Sequence, residues 1–206
     1  MRFEDDKEKR NELKKKISEH LSEIMKLLEI EETPSNEGTP NRVAKMWVDE
    51  LFVNRNDEYI EELDSKMKLF PNEYNNEVVI MRDIEFNSMC EHHWLPFSGK
   101  ITVAYVPKEN VIGLSKIPRV VKYFSKKPTL QEKLGKDIAQ YLFEILKPEM
   151  LVVYVKSTHS CVKCRGAESD CETVTSFSIQ GTPTSEEDAK YFLFLREQID
   201  KRVGEF

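Results

Sequence analysis

The sequence predicts an α+β fold with an antiparallel β-sheet and a helical extension at the N-terminus. Two observations carry this. Strands and helices come in runs, in the order helix, helix, strands, helices, strands, helix. The chain has 206 residues, enough for one domain with a real core plus an extension. It shows no internal repeat or low-complexity tract.

From about Asp5 to Ile30, Leu13, Ile17, Leu21, Ile24 and Leu28 recur every three or four positions among lysines and glutamates. That period predicts an amphipathic helix with one buried stripe. Glu31–Gly38 breaks it and reads as a linker, so residues 1–38 form the extension and 39–206 the main domain. Thr39-Pro40 predicts an N-cap followed by proline at the first helical position, opening a helix to about Phe52 that buries Val43, Trp47 and Leu51. Asn54–Asn76 is polar and reads as irregular. Strands are expected over Val78–Phe86 and Lys100–Val106, the second rich in β-branched residues and ended by Pro107. A turn and a short helix with Pro118 near its start follow over Val111–Ser125. Pro128-Thr129 is expected to open a longer helix with the stripe Leu130, Leu134, Ile138, Leu142 and Ile145, stopped by Pro148. Leu151–Ser157 and Thr173–Ile179 read as strands. Ser185, with Asp188 in place of the usual glutamate, is expected to cap a last helix lined by Phe192, Leu195, Ile199 and Val203.

Hydrophobic residues make up 39% and charged residues 33%, which suits a polar globular protein. No apolar run approaches the roughly 18 residues of a membrane span, and the start of the chain lacks the apolar core of a signal peptide. A cytoplasmic protein is therefore expected, with its four cysteines as thiols or metal ligands. A net charge of −6 argues against general nucleic-acid binding.

The chemistry concentrates in two short segments. Cys90-Glu91-His92-His93 places a thiol, a carboxylate and two imidazoles in consecutive positions, and His159 stands two residues before Cys161 in T-H-S-C-V-K-C-R-G. Three of the four histidines and three of the four cysteines lie in these segments. Thiolate and imidazole are the ligands zinc prefers. The spacing alone admits a closed site of Cys90, His93, Cys161 and Cys164, an open site with three protein ligands, or no metal. The surplus of histidine favours the open site, since two further imidazoles are what proton transfer near neutral pH requires. Neighbours in extended chain point to opposite faces, so one ligand and one free imidazole per segment is the economical arrangement.

C-E-H-H followed by F-S-G-K, then G-L-S-K-I-x-R, Q-E-K-L, H-x-C-V-K-x-R-G and T-V-T-S closely resembles GTP cyclohydrolase I. The resemblance runs from T-P-N-R-V-A-K-M-W at Thr39 to about Gly181, and the first 30 residues carry no such signature. It implies the tunnelling fold, zinc held by Cys90, His93 and Cys161, and His92 and His159 left free for acid/base work. It also implies a toroidal homodecamer of two pentamers with active sites between subunits. Cys164 stands where relatives carry a residue that is not a ligand: it could complete a closed site, form a reversible disulfide with Cys161 or be a buried free cysteine, and the last is the commonest outcome for a small residue there. Cys171, with no partner at metal spacing, reads as structural.

The resemblance further implies that GTP is converted to 7,8-dihydroneopterin triphosphate and formate. Read alone, Glu132 is a glutamate suited to a helix start and spaced to pair with Lys136. In similar enzymes the equivalent carboxylate recognises the N1–H and N2–H edge of guanine, assisted by the residue equivalent to Gln131. Lys116, Arg119 and Arg165 are expected to clamp the triphosphate, and Arg42 and Lys45 match phosphate contacts donated by a neighbouring subunit. Ser115 is a candidate proton relay. The P-loop pattern of ordinary GTPases is absent from the sequence. The rivals are a binding module around a structural zinc and a nitrile reductase of the same fold.

Overall fold

The computed structural model describes residues 2–56, 59–73, 78–180 and 185–203. They fall into two compact units, Met1–Arg55 and Asn56–Phe206, so the expected division at residue 38 lies within the first.

The first unit packs α1 (Arg2–Leu27) against α2 (Thr39–Met46), which continues into a π-helical turn, Trp47–Leu51. Arg10 and Lys14 hold Asp49 at 3.1 and 3.0 Å, and the Ser18 hydroxyl donates to Asn41 Oδ1 at 2.8 Å. Leu13, Ile17 and Leu21 are half-buried, whereas Ile24 and Leu28 are exposed, so only the first part of the expected stripe is covered. Thr39 lies inside α2 rather than capping it. Gly38 is the cap, at φ 72°, a left-handed backbone that glycine adopts without strain, and the Thr39 hydroxyl instead accepts from Arg42 at 2.7 Å. The buried side of this segment is Ala44, Val48 and Phe52, one residue round from the expected Val43, Trp47 and Leu51, which are half-buried.

The second unit is organised on a five-stranded sheet of order β5-β2-β3-β6-β7. Its strands are β2 (Val79–Cys90), β3 (Pro96–Val106), β5 (Pro128–Thr129), β6 (Met150–His159) and β7 (Glu172–Gln180). β2, β3, β6 and β7 are antiparallel neighbours, and β5 adds to β2 in parallel. Between β3 and β6 the chain makes α4 (Lys116–Ser125) and α5 (Gln131–Leu146). Two strands, two helices and two strands in succession form the tunnelling-fold unit. Pro128-Thr129 is therefore a strand and not the helix start, and extended Leu130 is the cap of α5. The stretch expected to be irregular holds α3 (Ile60–Ser65) and β1 (Leu69–Pro71), the latter paired with β4 (Asn110–Ile112). Residues 57–58 and 74–76 of that stretch, Gly181 and the side chain of Asp188 lie outside the described residues.

Alternation along the strands buries both faces of the sheet. Ile101, Val103 and Tyr105 of β3, with Leu151, Val153 and Val155 of β6, pack under α4 and α5 through Ile117, Val121, Leu134, Ile138 and Leu142. On the other face Ala104, Val106, Met150, Val152 and Tyr154 meet Leu195, Ile199 and Val203 of α7 (Glu186–Val203). The strands nearly touch at Gly99, where an added Cβ would stand 2.0 Å from the Lys156 carbonyl oxygen. Only glycine permits that approach, and it fixes the register Gly99↔Ser157 and Phe97↔His159.

Candidate active site

The site gathers where β2 ends, β3 begins and β6 runs into the one-turn helix α6 (Ser160–Lys163). β2 delivers Cys90, and Glu91–His93 then turns the chain back. The Cys90 carbonyl accepts from the amides of His93 (3.4 Å) and Trp94 (2.8 Å), and the Glu91 amide donates to Thr129 of β5 at 3.2 Å. β6 delivers His159, and α6 brings Cys161 round beside Cys90. One ligand atom from each of Cys90, His159 and Cys161 lies within 4.8 Å of the others.

This donor set suits a divalent cation. Zn–S bonds of about 2.3 Å put two tetrahedral sulfurs roughly 3.8 Å apart, so a small contraction would close the group on an ion. Burial pushes the Cys161 thiol up, and the adjacent Cys90 sulfur pushes it further, against a smaller pull from Arg165. Two crowded thiols resist joint ionisation, and a cation between them removes that resistance.

His159 is held by two neighbours. Its ring stacks on Phe97, with centroids 4.7 Å apart and planes 5° from parallel, and its Nε2 lies 2.8 Å from Gln131 Oε1. Burial lowers its pKa below the ordinary histidine value, while the Glu132 carboxylate acts in the opposite direction. Glu132 itself is exposed in the first turn of α5. Gln131 is buried, and its amide is engaged by Val155, Thr173, Thr175, Ser157 and His159.

His92 and His93 are exposed on the turn, rings edge-on at 6.2 Å, and His159 takes the place beside the thiols where His93 was expected. Ser115, Lys116 and Arg119 form the start of α4, and Arg165 follows α6. Among the described residues the side chains of Lys116, Arg119 and Arg165 make no hydrogen bond or ion pair, leaving three cations open to an anion. Arg42 and Lys45 belong to the first unit, where Arg42 donates to the Glu37 carbonyl at 2.8 Å. Cys164 is exposed, not buried as expected, because α6 ends at Lys163 and turns the next side chain outward; Cys171 is exposed too. Phe97, Ser157 and Thr175 were not singled out from sequence. A signal existed for Ser157, which stands two residues before His159 and so shares its face of β6.

A profile of GTP cyclohydrolase I matches residues 17–196. The chain belongs to the GTP cyclohydrolase I family. It is 41% identical over 172 residues to GTP cyclohydrolase 1 of Serratia proteamaculans, covering 82% of this chain and 75% of that one. The corresponding protein of Haemophilus influenzae is 41% identical over 81% of this chain and 76% of its own. That of Pasteurella multocida is 42% identical over 165 residues, 78% of this chain and 73% of the relative. A crystal structure of the apo archaeosine synthase QueF-Like superposes with a TM-score of 0.45 at 19% identity, over 52% of this chain and 98% of that one. The family match reaches beyond the Thr39–Gly181 stretch read from motifs and takes in part of α1. No described helix is long and apolar enough to cross a membrane.

Proposed function

We propose that this chain is a zinc-dependent, cytoplasmic GTP cyclohydrolase I that converts GTP and water to 7,8-dihydroneopterin triphosphate and formate. The observation that carries the reading is the meeting of Cys90, Cys161 and His159 in a member of this family. Cys90 and Cys161 would hold the ion. His93 is the third ligand of the proposal, since C-x-x-H in a tight turn keeps it within one turn of Cys90, and His159 remains the proton carrier although it stands nearer in this structure. Zinc would supply the Lewis acidity that makes water a nucleophile near neutral pH.

Glu132 accepts from N1–H and N2–H of guanine, which orients C8 towards the thiol pair. Lys116, Arg119 and Arg165 neutralise the triphosphate. His159 protonates N7 as water adds at C8, and the hydrate opens to a formamide. A second water releases formate. His92 then passes a proton to the ribose ring oxygen, with Ser115 as relay, and the opened sugar rearranges and condenses with the freed amine. Ring closure expels one water, so the net reaction consumes one.

The assembly of the proposal is a decamer of two pentamers, in which Arg42 and Lys45 reach a neighbour's site. Its support is β7, nine residues long and unpaired along its outer edge among the described residues. Such an edge is a template for the next subunit's sheet.

The test is incubation with GTP while formate and the fluorescence of oxidised pterin are followed. Equimolar formate and pterin are expected, and GTP left unconsumed would defeat the proposal. In His92→Ala, formate without pterin is expected; loss of both would remove the late role of His92.

A further inference from the structure

Gln131 was expected to assist guanine recognition, yet its environment is that of a residue turned towards the protein. It is 2% exposed, at the first position of α5, and its side chain enters the sheet between β6 and β7. Its Nε2 lies 3.0 Å from the Val155 carbonyl, 3.1 Å from the Thr173 carbonyl and 3.2 Å from Thr175 Oγ1. A carboxamide has two N–H donors, and these three acceptors use both. Carbonyl oxygens can only accept, so the nitrogen end must face them, and Oε1 must face the other way.

Oε1 then receives two partners, Ser157 Oγ at 2.6 Å and His159 Nε2 at 2.8 Å. An amide oxygen carries no proton, so Nε2 of His159 must supply the one in that bond. In the neutral ring this leaves Nδ1 with the lone pair. The chain of consequence is fixed by backbone: carbonyls of β6 and β7 orient the amide, the amide fixes the proton on Nε2, and Nδ1 is left as the working nitrogen. Stacking on Phe97 prevents the ring from turning over to exchange the two nitrogens without losing that contact.

We infer that Gln131 is a positioning residue, which locks His159 in the Nε2–H tautomer and presents Nδ1 to the reaction, rather than a contact for guanine. This rests on His159 being a working residue of the site proposed above. Proton delivery to N7 would then pass through Nδ1, and the proton on Nε2 would stay with Gln131 throughout.

The test is magic-angle-spinning ¹⁵N NMR of the full chain labelled at histidine, without GTP, at a pH where the ring is neutral. His159 is identified by difference from His159→Gln. A single Nε2–H tautomer is expected for His159, and Nδ1–H in the unmodified chain would overturn the inference whatever any variant does. In Gln131→Ala the tautomers should mix, with kcat falling at least tenfold and KM for GTP moving less than threefold. A tenfold rise in KM with the tautomer unchanged would return Gln131 to guanine binding and overturn the inference. Because the spectrum needs no turnover, the tautomer stands or falls separately from the proposed reaction.

Discussion

Gly99→Ala isolates the contact that aligns the two halves of the site. The new methyl carbon would meet the Lys156 carbonyl oxygen at 2.0 Å, Ser157 Cα at 2.7 Å and the Lys156 carbonyl carbon at 2.9 Å. All three are backbone atoms, so no side chain can rotate out of the way, and β3 and β6 must part locally by more than an ångström. Overpacking of this kind costs about 1–3 kcal/mol. Loosening two ladder hydrogen bonds adds about 1 kcal/mol each, for a total of roughly 3–5 kcal/mol against the 5–15 kcal/mol typical of a folded domain. Gly99 is two residues from Phe97, and its partner Ser157 is two from His159. The imidazole should therefore shift with the strands, and a displacement near 1 Å costs about a hundredfold in rate. Urea unfolding at fixed protein concentration gives the first quantity and formate release the second. A variant within 0.5 kcal/mol of the parent and within twofold of its activity would refute the claim that glycine is required here.

Two variants separate the imidazoles at the thiol pair. His93→Ala is expected to lose bound zinc and His159→Ala to keep it while losing activity, measured as metal per chain after desalting; the reverse pattern would make His159 the ligand. Glu132→Gln should raise KM for GTP ten- to a hundredfold, the equivalent of about 1.5–3 kcal/mol for a hydrogen bond to a charged group. It should also narrow the preference for GTP over inosine triphosphate, which lacks the N2 amine, and an unchanged preference would end the guanine-edge assignment. Asp49 is subject first to burial, which raises its pKa, but contacts with Lys14 and Arg10 outweigh this and leave it below the ordinary aspartate value. Its stabilisation is thus present above about pH 4 and lost as pH falls through the lower folded value. Asp49→Asn should cost about 1 kcal/mol at pH 7, read as hydrogen-exchange protection of α1, with the gap from the parent closing in acid; a constant gap would contradict it.

Much of the fold was legible because it rests on one strong period at a time. The stripe Leu134, Ile138, Leu142 and the β-branched run of β3 are buried as their spacing requires. What escaped was set by partners distant in sequence. Pro128-Thr129 looks like a helix start until β2 offers an edge to pair with, and α3 and β1, six and three residues long, are too short to show a period. Thr39 was a sound cap by composition, but Gly38 can enter the helix in a conformation Thr39 cannot share. In the site, Cys90, His159 and Cys161 could be read as chemistry from local spacing. The surroundings of Gln131 could not, since Val155, Ser157 and Thr173 meet it only once β6 and β7 are in register beneath α5.

The most direct measurement removes the metal and puts it back. After zinc is stripped by chelation, with folding verified by circular dichroism, formate release from GTP should stop. One equivalent of zinc per chain should restore it in the parent but not in Cys90→Ser or Cys161→Ser. Undiminished formate release from fully stripped protein would show that the thiols of Cys90 and Cys161 hold nothing the hydrolysis needs, and the account would fail there.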